Sequence, residues 1–224
     1  MTKVVLIRHA RSTANADGVL AGRMPGVSLD DVGRGQARAL GELLSEARIA
    51  AAYTSPIQRC RETAALAGFP DATVLEGVSE CDYGVWTGAK LAALKDELLW
   101  ADIQATPSAV SFPGGESMTE MFARTTGAVA ELAERHTDTD TVVVFSHGDP
   151  IKAILAHAFG MQLDEFQRVH VGPAGVSVVE YLGQRPTVLC VNLGGSLAAL
   201  LATHAAPVVG GGDVDVDPPP AHRG

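Results

Sequence analysis

Read for its alternation of apolar and polar positions, the chain opens on KVVLI, a β-branched run from Lys3 to Ile7 that stops at Arg8 and gives way to small and polar residues. A run apolar at successive positions predicts a strand buried on both faces. RHARST then falls on a loop at the strand's carboxyl end, where open α/β sheets receive ligands. From Asp30, DDVGRGQARALGELLSEA places apolar or small residues at helical spacing behind an acidic start, which predicts a helix to about Ala47 with Asp30 or Asp31 as N-cap. A second strand is predicted over Ala50–Thr54. SPIQRCRETAALA follows as a helix entered through Pro56 near its first turn, where a missing N–H costs nothing.

Between Ser79 and Pro113 the pattern loses its period, with Gly84, Gly88 and Pro107 punctuating short helical pieces that suit a rim or lid over a pocket. After PGGES, Met118 to His136 is amphipathic at helical spacing, and TVVVFSHG is the strongest buried-strand signal in the chain. Val176–Tyr181 and Pro186–Asn192, separated by a GQR turn, predict an edge hairpin. Strands alternating with helices place the chain in the α/β class, as a three-layer α/β/α sandwich with a mostly parallel central sheet and an antiparallel edge strand. One domain is expected over residues 1–206. The Gly-, Pro- and Asp-rich residues 207–224 have little apolar surface to bury and read as a flexible tail.

Composition narrows the function classes. With 224 residues, 46% of them hydrophobic, the chain can bury a sizeable core. No run approaches the roughly 18 consecutive apolar residues of a membrane span, and MTKVVLIRHA is no secretory leader, so a soluble cytoplasmic protein is expected. A net charge of −9 argues against nucleic acid and anionic membranes as partners, since both would be repelled at long range. Local arginines would have to attract any small anionic substrate. The cysteines Cys60, Cys81 and Cys190 show no CxxC spacing and read as reduced thiols. His136, His157, His170, His204 and His222 show no HxxxH or HExxH pairing, so neither a metal nor another cofactor is expected.

The first constellation with chemistry in it is Arg8-His9 at a strand end, with Asn15 shortly after. A neutral imidazole is a good nucleophile, and a guanidinium beside it can hold phosphoryl oxygens through its planar fork. Arg-His alone is weak evidence. Two further strand ends add to it: one leads into a helix carrying Arg59 in its early turns, and VVVF ends in Ser146-His147-Gly148. If the three termini converge, two arginines and two histidines surround one anion, with helix N-terminal amides as further donors. Trp86 and Trp100 read as packing, and GGG at 210–212 lacks the lysine and setting of a phosphate loop.

In this order the motifs LIRHARSTAN, AGRMPGVSLDDVGRGQA, YTSPIQRCRETA, SECDYGVWTG, PGGES and VVVFSHGDPIK resemble the histidine phosphatase superfamily, the phosphoglycerate-mutase-like enzymes, over roughly Lys3 to Tyr181. Ala10 stands where glycine is usual. The resemblance implies His9 as the phosphorylated nucleophile, with Arg8, Arg59 and His147 completing the phosphate pocket; in protonated form His147 would help stabilise the oxygens as the phosphoryl group transfers. The resemblance also implies Glu80 as the proton donor and Asn15, Gly22, Arg23, Tyr83 and Gly148 as pocket-lining or substrate-contacting residues, with Gly115-Glu116-Ser117 on a nearby loop. A carboxyl group in the donor role needs a raised pKa, which burial near Tyr83 and Trp86 would supply against the pull of the arginines. A small phosphorylated substrate is implied, and a homodimer through an edge strand.

Hydrolysis and phosphomutase activity share the phosphohistidine step. Dedicated mutases of the family carry a longer insertion between the donor glutamate and the second histidine, with an adjacent arginine pair. Here that stretch is short and holds Lys90, Lys95 and Arg124 but no Arg-Arg. The expectation is therefore a metal-independent phosphatase, with a phosphomutase, or a silent phospho-ligand binding module, as the alternative.

Overall fold

The computed structural model describes residues 1–137, 139–183 and 185–194. The expected domain limit at 206 and the tail over 207–224 lie outside the described residues. In chain order the strands are β1 (Thr2–Arg8), β2 (Ala51–Thr54), β3 (Thr73–Val74), β4 (Thr141–Ser146), β5 (Val176–Leu182) and β6 (Arg185–Leu193). The helices are α1 (Thr13–Ala16), α2 (Asp31–Leu44), α3 (Gln58–Leu66), α4 (Leu91–Leu94), α5 (Leu98–Ala105), α6 (Met118–Glu134) and α7 (Gly148–Ala158). One six-stranded sheet runs in the order β3-β2-β4-β1-β5-β6. β4 is parallel to β1 and β2, and β3 to β2, while β5 and β6 are the antiparallel edge.

Successive side chains of β1 and β4 point to opposite faces, and both faces are covered. Val4, Leu6, Val142 and Val144 pack with Val129 and Leu132 of α6 and Ile151 and Leu155 of α7. Val5, Ile7, Val143 and Phe145 pack on the other side with Leu40 and Leu44 of α2 and Cys60 and Ala64 of α3. These strands are apolar without a break because neither face meets water. Each fully buried Val, Leu, Ile or Phe side chain contributes about 1.5–3 kcal/mol.

Some boundaries differ from expectation. α2 stops at Leu44, with Asp30 as its N-cap, accepting from the Gly33 N–H at 2.7 Å. α3 begins only at Gln58 behind the cap residue Ile57, so Pro56 precedes the helix and does not sit in its first turn. α6 ends at Glu134, leaving His136 beyond the cap. β3 carried no signal, since it is two residues paired only to β2.

The segment without a period, residues 79–113, has a core of its own: Tyr83, Trp86, Leu94, Trp100, Ile103 and Phe112 pack with Met118 and Met121 of α6. Trp86 and Trp100 stack at 6.5 Å inside it, as packing. Among the described residues no helix is long and apolar enough to cross a membrane.

Candidate active site

The three central parallel strands end together. Register sets Arg8 beside Ser146 and Thr54 beside Phe145, and two bonds carry the alignment past the strand ends: His9 N–H donates to the Ser146 carbonyl at 2.8 Å and Ser55 N–H to the Phe145 carbonyl at 2.9 Å. Arg8, His9, Arg59, Glu80 and His147 are all brought to this edge, none more than 3% exposed.

The tautomer of His9 follows from its contacts. Nδ1 lies 2.9 Å from the Ala10 carbonyl, which can only accept, so Nδ1 carries the proton. Nε2 is then a bare lone pair, and it accepts from Nε of Arg59 at 3.0 Å. Burial, then Arg59 and Arg8, hold the His9 pKa well below the usual imidazole value, so the ring is neutral. Ala10 does not adopt a left-handed φ, and its N–H donates to Thr63 Oγ1 at 3.1 Å, so alanine adds no strain where glycine is usual.

Arg59 spans both histidines. Nη2 donates to the Gly22 carbonyl at 2.8 Å and to Nδ1 of His147 at 3.0 Å. Among the described residues Nη1, which is buried, has no hydrogen-bond partner. Because Nδ1 of His147 accepts, Nε2 carries that ring's proton and donates to Ser55 Oγ at 2.8 Å. Burial and the Arg59 charge hold the His147 pKa well below its usual value. Two guanidiniums and a dry setting hold His147 neutral before an anion arrives; the protonated form was expected of the phosphoryl-transfer state. Arg8 is anchored through Nη1 to the Val171 carbonyl at 2.8 Å.

Glu80 faces this group from the loop that starts at Ser79. Its Oε2 is 3.9 Å from Nδ1 of His147 and 4.0 Å from Nη2 of Arg59, and its Oε1 accepts from the Cys81 N–H at 3.0 Å. Burial, then the negative charge of Asp149, raise its pKa to about 7 against the pull of Arg59. Burial was the expected cause and is the largest; the second, the Asp149 charge, had not been expected.

The loop is clamped from outside. The Glu80 carbonyl accepts from Arg23 Nε at 2.8 Å and from Arg124 Nη2 at 3.0 Å. Both guanidiniums also bind Glu116 of the PGGES loop, Arg23 at 3.0 Å and Arg124 at 2.6 Å. Arg124 adds bonds to the Gly77 and Ser79 carbonyls at 2.9 and 2.8 Å. An open cleft of about 590 Å³ lies along Arg23, Glu116 and Arg124 and does not reach the histidines.

The other expected site residues divide. Gly22 has φ +49°, and a Cβ there would lie 2.9 Å from Thr87 Oγ1 and 3.0 Å from Tyr83 Cδ2, so its carbonyl reaches Arg59 only as glycine. Gly148 opens α7 directly behind His147. Tyr83 is buried, and its hydroxyl donates to Asp149 Oδ2 at 2.8 Å. Asn15 Oδ1 accepts from Ser12 N and Oγ at 3.0 and 2.8 Å, which makes it part of the α1 capping box. Sequence reasoning missed Ser55, Arg124, Asp149 and Lys152. Asp149 alone had a signal, as a carboxylate directly after Ser-His-Gly. Among the described residues no three His, Cys, Asp or Glu side chains are grouped to hold a metal ion.

Comparison with known proteins agrees with this geometry. Residues 4–194 match the model of the histidine phosphatase superfamily (branch 1). Phosphoserine phosphatase 1 of Hydrogenobacter thermophilus is 30% identical over 201 residues, 86% of this chain and 93% of the relative. The metal-independent phosphoserine phosphatase of Arabidopsis thaliana is 30% identical over 162 residues, 69% of this chain and 67% of the relative. Among solved structures, Bacillus stearothermophilus YhfR superposes with a TM-score of 0.78 at 26% identity, over 88% of this chain and 98% of that one. Strand order, paired imidazoles and these matches agree, and the chain belongs to the histidine phosphatase superfamily.

Proposed function

We propose that this chain hydrolyses small phosphate monoesters without a metal ion, through a covalent phosphohistidine on Nε2 of His9. The observation that carries the reading is the fixed tautomer: the Nδ1–H bond to the Ala10 carbonyl leaves Nε2 as the lone pair at the centre of the site. An arriving phosphoryl group draws the Arg59 N–H groups from Nε2 onto its oxygens. Arg8 holds remaining negative charge, and His147, neutral before the anion arrives, joins it once the dianion draws a proton from solvent onto its Nδ1. Nε2 then attacks phosphorus in line, the P–O bond to the leaving group breaks, and that oxygen takes the proton from Glu80. In the second half, Glu80 takes a proton from water as the water oxygen attacks phosphorus. The N–P bond breaks, releasing phosphate and restoring neutral His9.

Two of the relatives are named as phosphoserine phosphatases, which supports a small phosphorylated substrate and makes phosphoserine the first ester to assay. During turnover, quenched enzyme is expected to carry a phosphoryl label stable to alkali and labile to acid. His9→Ala is expected to lose the label and at least about a thousandfold in kcat/KM. A His9→Ala protein that turned over at the wild-type rate would sink the proposal. Faster exchange between phosphoglycerate isomers than release of inorganic phosphate would move the reading to a mutase.

A further inference from the structure

Asp149 takes no part in either half of the reaction, yet its carboxylate is 1% exposed in the first turn of α7, just after His147. Oδ2 accepts the Tyr83 hydroxyl at 2.8 Å, and Oδ1 lies 3.6 Å from the Lys152 ammonium. Lys152 is itself held by Gln167 Oε1 at 3.0 Å. Tyr83 sits on the same loop as Glu80. The Tyr83–Asp149 bond therefore ties the loop that carries the acid to the helix that His147 caps. Taking an ion pair out of water costs several kcal/mol per ion, and a neutral side chain would make the same tie to Tyr83. The charge itself calls for a use.

Arg8 of β1, Arg59 of α3, Arg124 of α6 and Lys152 of α7 present positive charge to Glu80. Neutral His147, Tyr83, Cys60 and Cys81 complete its surroundings. Arg23 adds a cation at the Glu80 carbonyl, where Glu116 pairs with it and with Arg124, and Asp149 is the carboxylate whose charge raises the Glu80 pKa. The cations pull Glu80 toward its carboxylate form, and burial together with the Asp149 charge opposes them.

We propose that Asp149 is a positioning residue for the proton donor: fixed by Tyr83 and Lys152, its negative charge keeps the proton on Glu80 until the leaving oxygen takes it. This rests on the reading of Glu80 as the acid. The direction of the Glu80 shift agrees, with Asp149 second only to burial among its causes.

The test is the pH profile of kcat/KM, which follows the free enzyme, with two esters, an alkyl phosphate that needs a proton on its leaving oxygen and p-nitrophenyl phosphate, which needs little help. Protonated Glu80 is the active form, so alkyl-ester turnover falls as pH rises through the Glu80 pKa of about 7. Asp149→Asn is expected to move that alkaline limb down by about one pH unit, so alkyl-ester turnover above the limb drops about tenfold while the aryl ester loses several-fold less. Lys152→Met removes a cation and is expected to move the limb the opposite way. An unshifted limb in Asp149→Asn, with Glu80→Gln inactive on the alkyl ester, overturns this inference and leaves the acid assignment standing. Alkyl-ester turnover with an unchanged limb in Glu80→Gln overturns the acid assignment itself. Should Asp149→Asn not fold, Lys152→Met decides alone, and a limb that stays or falls counts against the role.

Discussion

The floor of the site and its wall are built by different means. The floor is Arg8, His9, Arg59 and His147, carried on the ends of β1 and β4 and the start of α3, with backbone bonds between strand ends at 2.8 and 2.9 Å fixing them. The wall is Glu80 on a loop with no strand of its own, held because Arg23, Arg124 and Glu116 grip its backbone. Position and chemistry divide in the same way. On the proposed mechanism, floor groups meet phosphorus and the oxygens common to every phosphate ester, whereas Glu80 meets the leaving oxygen, which differs from ester to ester. Damage to the floor should be indifferent to the leaving group, and damage to the wall should not be.

The strongest test of that division is Arg59→Lys. Lysine keeps the charge but loses the fork that bonds both imidazoles and Gly22. A fall in kcat/KM of about a hundred- to a thousandfold is expected, by the same factor for alkyl and aryl phosphates. A loss confined to the alkyl ester would put Arg59 in the wall and undo the comparison.

The same division explains which parts were legible in the sequence. β1 and β4 are covered on both faces, so they read as unbroken apolar runs, and His9 and His147 stand out as the polar residues that close those runs. The two-residue β3 offers no period to detect. The wall was legible only through resemblance: Glu80 sits in a stretch without periodicity, and the residue that fixes it, Arg124, lies mid-helix among ordinary polar residues. Tyr83 and Asn15 make local bonds that their places in the motifs did not announce. Both residues are where the motifs put them, but one donates to Asp149 and the other caps α1. The charge state of His147 before an anion arrives was not legible, because it depends on Arg59 reaching Nδ1, a contact between residues far apart in the chain.

Glu116→Ala sharpens the wall. The side chain joins Arg23 to Arg124 and also accepts the Asp82 N–H at 2.9 Å, so its loss frees two guanidiniums and the loop beyond Glu80 without touching a floor residue. Alkyl-ester kcat is expected to fall about tenfold as the acid loses its fixed position. The aryl ester should lose less, and the thermal midpoint should drop by several degrees, consistent with about 1–3 kcal/mol for breaking such a network. Equal losses for both esters would mean that the clamp supports the floor as well.

The smallest effect is expected where the floor looks most delicate, at Cys60. Its Sγ is buried 3.4 Å from Nε2 of His147 and 3.2 Å from the Ser146 carbonyl, close enough to suggest a part in the chemistry. Neither partner depends on it. The Ser146 carbonyl already accepts from the His9 N–H, and Nε2 of His147 already donates to Ser55. Burial, opposed by Arg59, pushes the thiol up to about 12, so there is no thiolate to act as nucleophile or to be oxidised at neutral pH. Cys60→Ala should therefore keep kcat/KM within about threefold for both esters, and the small cavity should cost about 1 kcal/mol of stability. Thiol-specific reagents should leave Cys60 unmodified in the folded protein. Rapid labelling of Cys60 with loss of activity would show the floor opening to solvent more readily than its backbone bonds allow, and the contrast with the wall would then be one of chemistry alone.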